Sequence, residues 1–197
     1  MVVLPLLALL GQSGIAEEAA VTWRKCAEAH RALRRYSDHS DVFNLVKGKR
    51  KRSGSGQIAY AAPREYDFTY RDDLLGVTCN LSQTASGKWS GGTSEDTFSA
   101  NPGGSNAQGY ADTVVDRWSY APLALALNEN TSFFDGFSPV GATAEEKMDG
   151  VLCLRMTDGP SGQPRTILWI QKSSRLLVRV RRESKEDAPE LTLFHRK

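Results

Sequence analysis

The sequence predicts an α+β fold of antiparallel hairpins with segregated helices. Three observations carry this. Residues Glu17–Tyr36 place Ala19, Trp23, Cys26, His30 and Leu33 at helical spacing, on one face. Residues Gln57–Arg71 alternate instead: Ile58, Tyr60, Tyr66, Phe68 and Tyr70 fall on even positions, with small or charged residues between. Side chains on a strand change face at each residue, so this is an antiparallel strand with one greasy side and one wet side. The last third holds two β-rich runs, Arg165–Gln171 (RTILWIQ) and Arg175–Glu183 (RLLVRVRRE), joined by Lys172-Ser173-Ser174.

The elements follow in order. Val2–Leu10 is apolar but too short to cross a bilayer, which takes about 20 apolar residues. It suits the core of a secretory signal, with small Gly14 and Ala16 before a cleavage point after Ala16, although no Lys or Arg precedes it. Residues 1–16 are therefore expected to be a signal peptide, and 17–197 a single exported domain. The other reading is a buried N-terminal segment.

The helix of 17–36 carries acids at its start (Glu17, Glu18) and arginines at its end (Arg31, Arg34, Arg35), matching the helix dipole. Ser37–Ser40 reads as a break, Asp41–Arg52 as a strand, and Ser53-Gly54-Ser55-Gly56 as a turn. Pro63 marks a bulge or edge in the aromatic strand. Gly76–Ser82 alternates again through Val77, Cys79 and Leu81, Thr84–Gly87 is a turn, and Lys88-Trp89-Ser90 a return. Gly91–Gly109 reads as a long loop. Tyr110–Leu127 is helical, with Pro122 splitting or kinking it, and Phe133, Phe134 and Phe137 sit in an irregular stretch. Ala142–Met148, Val151–Thr157 and Leu191–Phe194 complete the strands.

Composition narrows the function. Lys+Arg 25 against Asp+Glu 23 gives a net charge of +2, too balanced to point to nucleic acid. The run Lys47-Gly48-Lys49-Arg50-Lys51-Arg52 is dense in positive charge without interleaved aromatics. It reads as a charged hairpin surface, with an anionic membrane surface as a second reading through Lys47, Lys49, Arg50, Lys51 and Arg52. Cys26, Cys79 and Cys153 match no zinc spacing. They read as buried thiols, with a disulfide as the alternative in an exported chain.

Catalytic motifs are missing. No G-x-S-x-G elbow occurs, and Gly87-Lys88 is followed by Trp89 rather than Ser or Thr. His30, His39 and His195 lie far apart without His-x-x-x-His or Cys-x-x-Cys company, so no metal site, cofactor or catalytic residue is expected. Asp72-Asp73 and Glu145-Glu146 are adjacent, so their carboxylates point apart.

Several motifs resemble one family. Tyr36-Ser37 ends the first helix, QIAYAAPREYDFTYR follows, and Gly87-Lys88-Trp89 returns the next strand. Met148-Asp149-Gly150-Val151-Leu152-Cys153-Leu154 and TILWIQKSSRLLVRVR come later, with Thr166–Lys172 similar to a "TLWID" hairpin in which Gln171 replaces Asp. Over 17–197 the chain resembles the LolA-like superfamily of periplasmic lipoprotein carriers and envelope-stress regulators. The resemblance implies an unclosed half-barrel wrapped around an N-terminal and a central kinked helix, with a concave face for acyl chains. Neither Arg24 nor Arg64 matches the arginine that latches a carrier's lid.

The expected function is an exported, periplasmic, non-enzymatic protein holding a lipid or acyl chain. Tyr60, Tyr66, Phe68, Tyr70, Leu81, Trp89 and Trp169 are the candidates to line the hollow. The alternative is a sensing or scaffold module with a filled interior and an envelope protein as partner. A third reading is an enzyme, which a close cluster of His39 or His195 with a carboxylate and a serine would favour.

Overall fold

The computed structural model of the protein describes residues 17–94, 97–100, 117–128, 137–160, 163, 165–183 and 189–196. Helix α1 spans Ala19–Arg31. Among the described residues, eleven strands form one antiparallel sheet. They are β1 (Arg35–Val46), β2 (Lys49–Ala61), β3 (Glu65–Asp72), β4 (Thr78–Gln83), β5 (Trp89–Thr93) and β6 (Thr97–Ala100), then β7 (Ala144–Met148), β8 (Val151–Thr157), β9 (Arg165–Gln171), β10 (Leu177–Glu183) and β11 (Glu190–Arg196). Helix α2 (Arg117–Leu127) lies between β6 and β7 in the chain. The order across the sheet is β6-β5-β4-β3-β2-β1-β11-β10-β9-β8-β7, so it stays open. The β1–β11 pair is the seam between the first six strands and the last five. This is the α+β half-barrel around two helices that the sequence predicts.

Helix α1 buries Ala19, Thr22, Cys26 and His30 at spacings of three and four. It ends five residues earlier than expected, and the Ser37–Ser40 stretch is strand, not break. The reason is a polar residue facing inward. Tyr36, Asp38, Ser40 and Val42 are all buried, an alternation of period two hidden by the polarity of its middle members. Asp38 is satisfied there: Oδ1 accepts the His195 backbone N–H at 3.0 Å, and Oδ2 accepts the Tyr36 hydroxyl.

The predicted turn at Ser53–Gly56 is likewise strand, and the basic run bends in its place, at Lys47 (φ 49°) and Gly48 (φ 75°). The glycines serve close packing. A Cβ on Gly54 would press on the Tyr70 hydroxyl and lie 2.7 Å from the Arg71 carbonyl oxygen; one on Gly56 would lie 2.7 Å from Ser40 Oγ.

The aromatic stretch divides into β2 and β3 around a turn at Pro63, whose peptide bond with Ala62 is cis. The face is kept across that turn. Tyr60 pairs with Tyr66, Ile58 with Phe68 and Gly56 with Tyr70, so even-numbered residues stay opposite even-numbered ones.

Part of the expected loop 91–109 is also strand, since β5 runs to Thr93 and Gly91 pairs with Phe98 of β6. Residues 101–109 lie outside the described residues, as do 1–16, 110–116, Phe133 and Phe134. Helix α2 runs through Pro122, and Trp118, Tyr120, Leu123 and Ala124 are at most 3% exposed. A helix apolar all round belongs inside, and α2 packs on β1, β2, β11 and α1.

Candidate functional site

The helix-facing side of the sheet carries the predicted aromatic wall. Tyr60, Tyr66, Phe68, Tyr70 and Leu81 are between 1% and 6% exposed and belong to one apolar cluster with α1 and α2. Phe68 meets Tyr120 edge to face, ring centroids 5.1 Å apart. Phe137 closes the far side of the helices, 5.1 Å from Trp23 and 6.5 Å from Trp118. In the arrangement described, side chains of this protein cover the wall. Tyr60 keeps one polar contact at its rim, a hydroxyl donating to the Pro63 carbonyl oxygen at 3.4 Å, and burial raises its phenol above its ordinary range.

Of the two remaining candidates, Trp169 stands apart from that wall. Trp89 starts β5, and its side chain lies outside what the structure describes. Trp169 lies on the opposite face of the sheet, in a small cluster with Cys153 and Ile167, while Leu168 and Ile170 face the helices. The expectation that Trp169 lines the hollow is corrected. Strand β9 is buried on both faces, so its apolar run carried no sign of which face meets the helices. The Trp169 indole donates to Glu146 Oε2 at 3.0 Å, and the Arg179 guanidinium sits 5.6 Å from its ring centroid.

A cavity of about 430 Å³ opens on the outer face of the same strands. Its outward side chains come in lateral rows: Arg35, Ala61 and Glu65, then Ser37, Ala59 and Asp67. Tyr36, Tyr60 and Tyr66 line it as well, so it combines charged side chains with apolar ones and reaches the edge of the aromatic wall.

One end of the sheet gathers its exposed apolar tips. Leu74 and Leu75, in the β3–β4 turn, are 58% and 77% exposed, and Val46 beside the β1–β2 turn is 47% exposed. Asp72 Oδ1 accepts the backbone N–H groups of both leucines and holds the turn. Lys47, Lys49, Arg50 and Lys51 surround Val46, all exposed. Arg52 is engaged elsewhere, with Asp41 at 3.1 Å and Asp73 at 3.6 Å.

Sequence reasoning missed one cluster. His39 and His195, distant in the chain, are direct partners across β1 and β11, and their rings stack with centroids 4.6 Å apart. Asp41, two residues from His39, joins them on the outer face. The signal was not in local spacing; it needed the β1–β11 register. The carboxylate of that cluster is therefore present, and among the described residues no serine hydroxyl is hydrogen-bonded to either imidazole. No disulfide joins the three buried cysteines, and burial pushes the Cys26 thiol up to about 12. Cys79 and Cys153 lie in separate clusters on opposite faces.

The fold and this wall define an open antiparallel half-barrel closed by helices. Several solved structures are similar to this chain at low identity. The Mycobacterium tuberculosis lipoprotein LppX is similar over 90% of this chain and 92% of its own, at 14% identity and TM-score 0.47. A LolA superfamily protein from Nitrosomonas europaea is similar over 92% of each chain, at 8% identity and TM-score 0.34. MucB in the Pseudomonas aeruginosa MucA/MucB complex is similar over 89% of this chain and 55% of its own, at 13% identity and TM-score 0.39. These likenesses are of fold alone. No family model matches the sequence, and no curated protein matches it.

Proposed function

We propose that this protein is a non-enzymatic binding protein of the cell envelope that holds an apolar group, a lipid or acyl chain, against the helix-facing wall of its sheet. The observation that supports this is the wall itself. Four aromatic rings and Leu81 share one side of β2, β3 and β4, beneath a helix that is apolar all round. The arrangement described is the closed one, and the guest takes the place of α2. Pro122 favours that exchange, because it removes one backbone N–H from the helix ladder. The exposed tips at Leu74, Leu75 and Val46, ringed by Lys47, Lys49, Arg50 and Lys51, suit contact with an anionic bilayer that supplies the guest.

Protein purified gently from the cell envelope is expected to carry extractable lipid, detected by mass spectrometry of the intact complex. Phe68→Leu, which keeps the core apolar but removes the ring, is expected to carry less guest in a variant whose fold is verified by circular dichroism. Lipid-free spectra from envelope-purified protein would sink the reading.

A second reading is a sensing or scaffold module with a permanently filled interior and a protein partner. The near-complete burial of the wall favours it, as does the open groove over Ala59 and Ala61. Co-purification of an envelope protein lost on Asp67→Lys, with no lipid present, would select this reading.

A further inference from the structure

We propose that His39, Asp41 and His195 form a binding site for a divalent transition metal ion, clasping the seam between the two halves of the sheet. His39 and Asp41 are two residues apart on β1 and therefore share a face, and His195 lies directly opposite His39 on β11. Their donor atoms all fall within 4.8 Å of one another. His195 Nε2 is 3.3 Å from Asp41 Oδ2, and His39 Nε2 is 3.9 Å from the same oxygen. A tetrahedral ion with bonds of about 2.0–2.2 Å holds neighbouring donors about 3.3 Å apart. Of the three donor pairs, His195–Asp41 already has that separation; the stacked His39 and His195 rings must tilt toward each other, and His39 toward Asp41, to bring the other two pairs to it.

The surroundings suit a ligand set. Arg52 donates from Nε to Asp41 Oδ1 at 3.1 Å, which fixes the carboxylate and leaves Oδ2 turned to the imidazoles. Asp73 lies 3.6 Å from Arg52 and offsets its charge. Both histidines are half-exposed, so the face beyond the three donors is open to water, which completes the coordination. Two imidazole nitrogens and one carboxylate oxygen select zinc, copper or nickel over calcium or magnesium.

The site's place in the fold gives the ion a role. Strand β1 opens the sheet in the chain and β11 ends it, and their pairing is what joins strands β2–β6 to β7–β10. An ion held by both strands binds the folded form and not the unfolded one, so it stabilises the closed seam by mass action.

The test is calorimetric titration of the metal-free full chain with zinc chloride, and separately with nickel chloride. One equivalent is expected to bind, and the thermal unfolding midpoint is expected to rise with metal. His39→Ala, His195→Ala and Asp41→Asn each weaken binding at least tenfold and remove the midpoint shift. Glu28→Gln, exposed on α1 away from the cluster, changes neither. Nitrogen NMR of the unmodified protein supplies a readout independent of variants: zinc shifts the Nε2 signals of His39 and His195 and leaves His30 in place. No binding at millimolar zinc overturns the proposal, and so does binding that survives all three substitutions or moves no imidazole signal.

Discussion

At the scale of single residues, Gly54 and His30 carry the sharpest consequences. Gly54 lets β2 and β3 approach closely, because a Cβ there meets the Tyr70 hydroxyl and a backbone oxygen that has nowhere to go. Gly54→Ala is expected to lose about 1–3 kcal/mol in urea unfolding, through forced backbone movement. Gly48 has open space where its Cβ would be and owes its identity to a positive φ instead. His30 is buried in α1 with Nδ1 at 2.9 Å from the Cys26 carbonyl oxygen, and Nε2 has no partner. Burial, opposed in part by that hydrogen bond, holds its imidazolium down to about 4 against an ordinary 6.5. The unfolded chain therefore binds the extra proton first, and stability falls as pH drops from 6.5 towards 4. The loss is on the order of 3 kcal/mol, at about 1.4 kcal/mol per pH unit. His30→Leu flattens denaturant midpoints across that window. Glu17 acts in a different one: hydrogen bonding to Lys25 holds its carboxyl at about 2, so its contribution disappears between 4.5 and 2.

At the scale of elements, α1 begins without the usual cap. Glu18 has cap geometry, with ψ at 138°, yet no side-chain cap hydrogen bond forms, and the first turn contains no acid. Glu18→Ser places a short hydroxyl at that position and is expected to add about 0.5–1 kcal/mol to stability by thermal melt. What secures the helix instead is tertiary. Glu17 binds Arg175 of the β9–β10 turn at 2.6 Å, and Thr143 donates to the Glu17 carbonyl oxygen at 2.9 Å. Residues more than a hundred positions away thus do the work of a local cap. The same division holds for α2, whose mid-helix proline is tolerated because the sheet surrounds it.

At the scale of the whole molecule, charge and greasy tips share one end of the sheet. Binding to vesicles containing anionic lipid is expected, and it weakens as salt rises. Replacing Lys47, Lys49, Arg50 and Lys51 together with Gln costs about 1 kcal/mol per residue, enough to abolish sedimentation with vesicles at physiological salt. Leu74→Ser weakens the same binding without changing its salt dependence, because it removes an apolar contact and adds no charge. Equal binding to neutral and anionic vesicles would count against this assignment.

By itself the sequence determined the classes of element and one face. The alternation from Ile58 to Tyr70 survived the turn at Pro63 because the β2–β3 register pairs even positions with even ones. The helical spacing of Ala19, Cys26 and His30 likewise fixed the buried stripe of α1. Three things waited for the tertiary structure. The first was β1, whose inward Asp38 is satisfied only by Tyr36 and by backbone from β11, and whose inward Ser40 Oγ is buried without a hydrogen-bond partner, so their polarity looked like a break. The second was the side on which Trp169 stands, because a strand covered on both faces has no period to read. The third was the meeting of His39, Asp41 and His195, created by pairing the first strand with the last. Local periodicity reports which face a residue shares with its neighbours in the chain; only long-range strand pairing decides what that face meets.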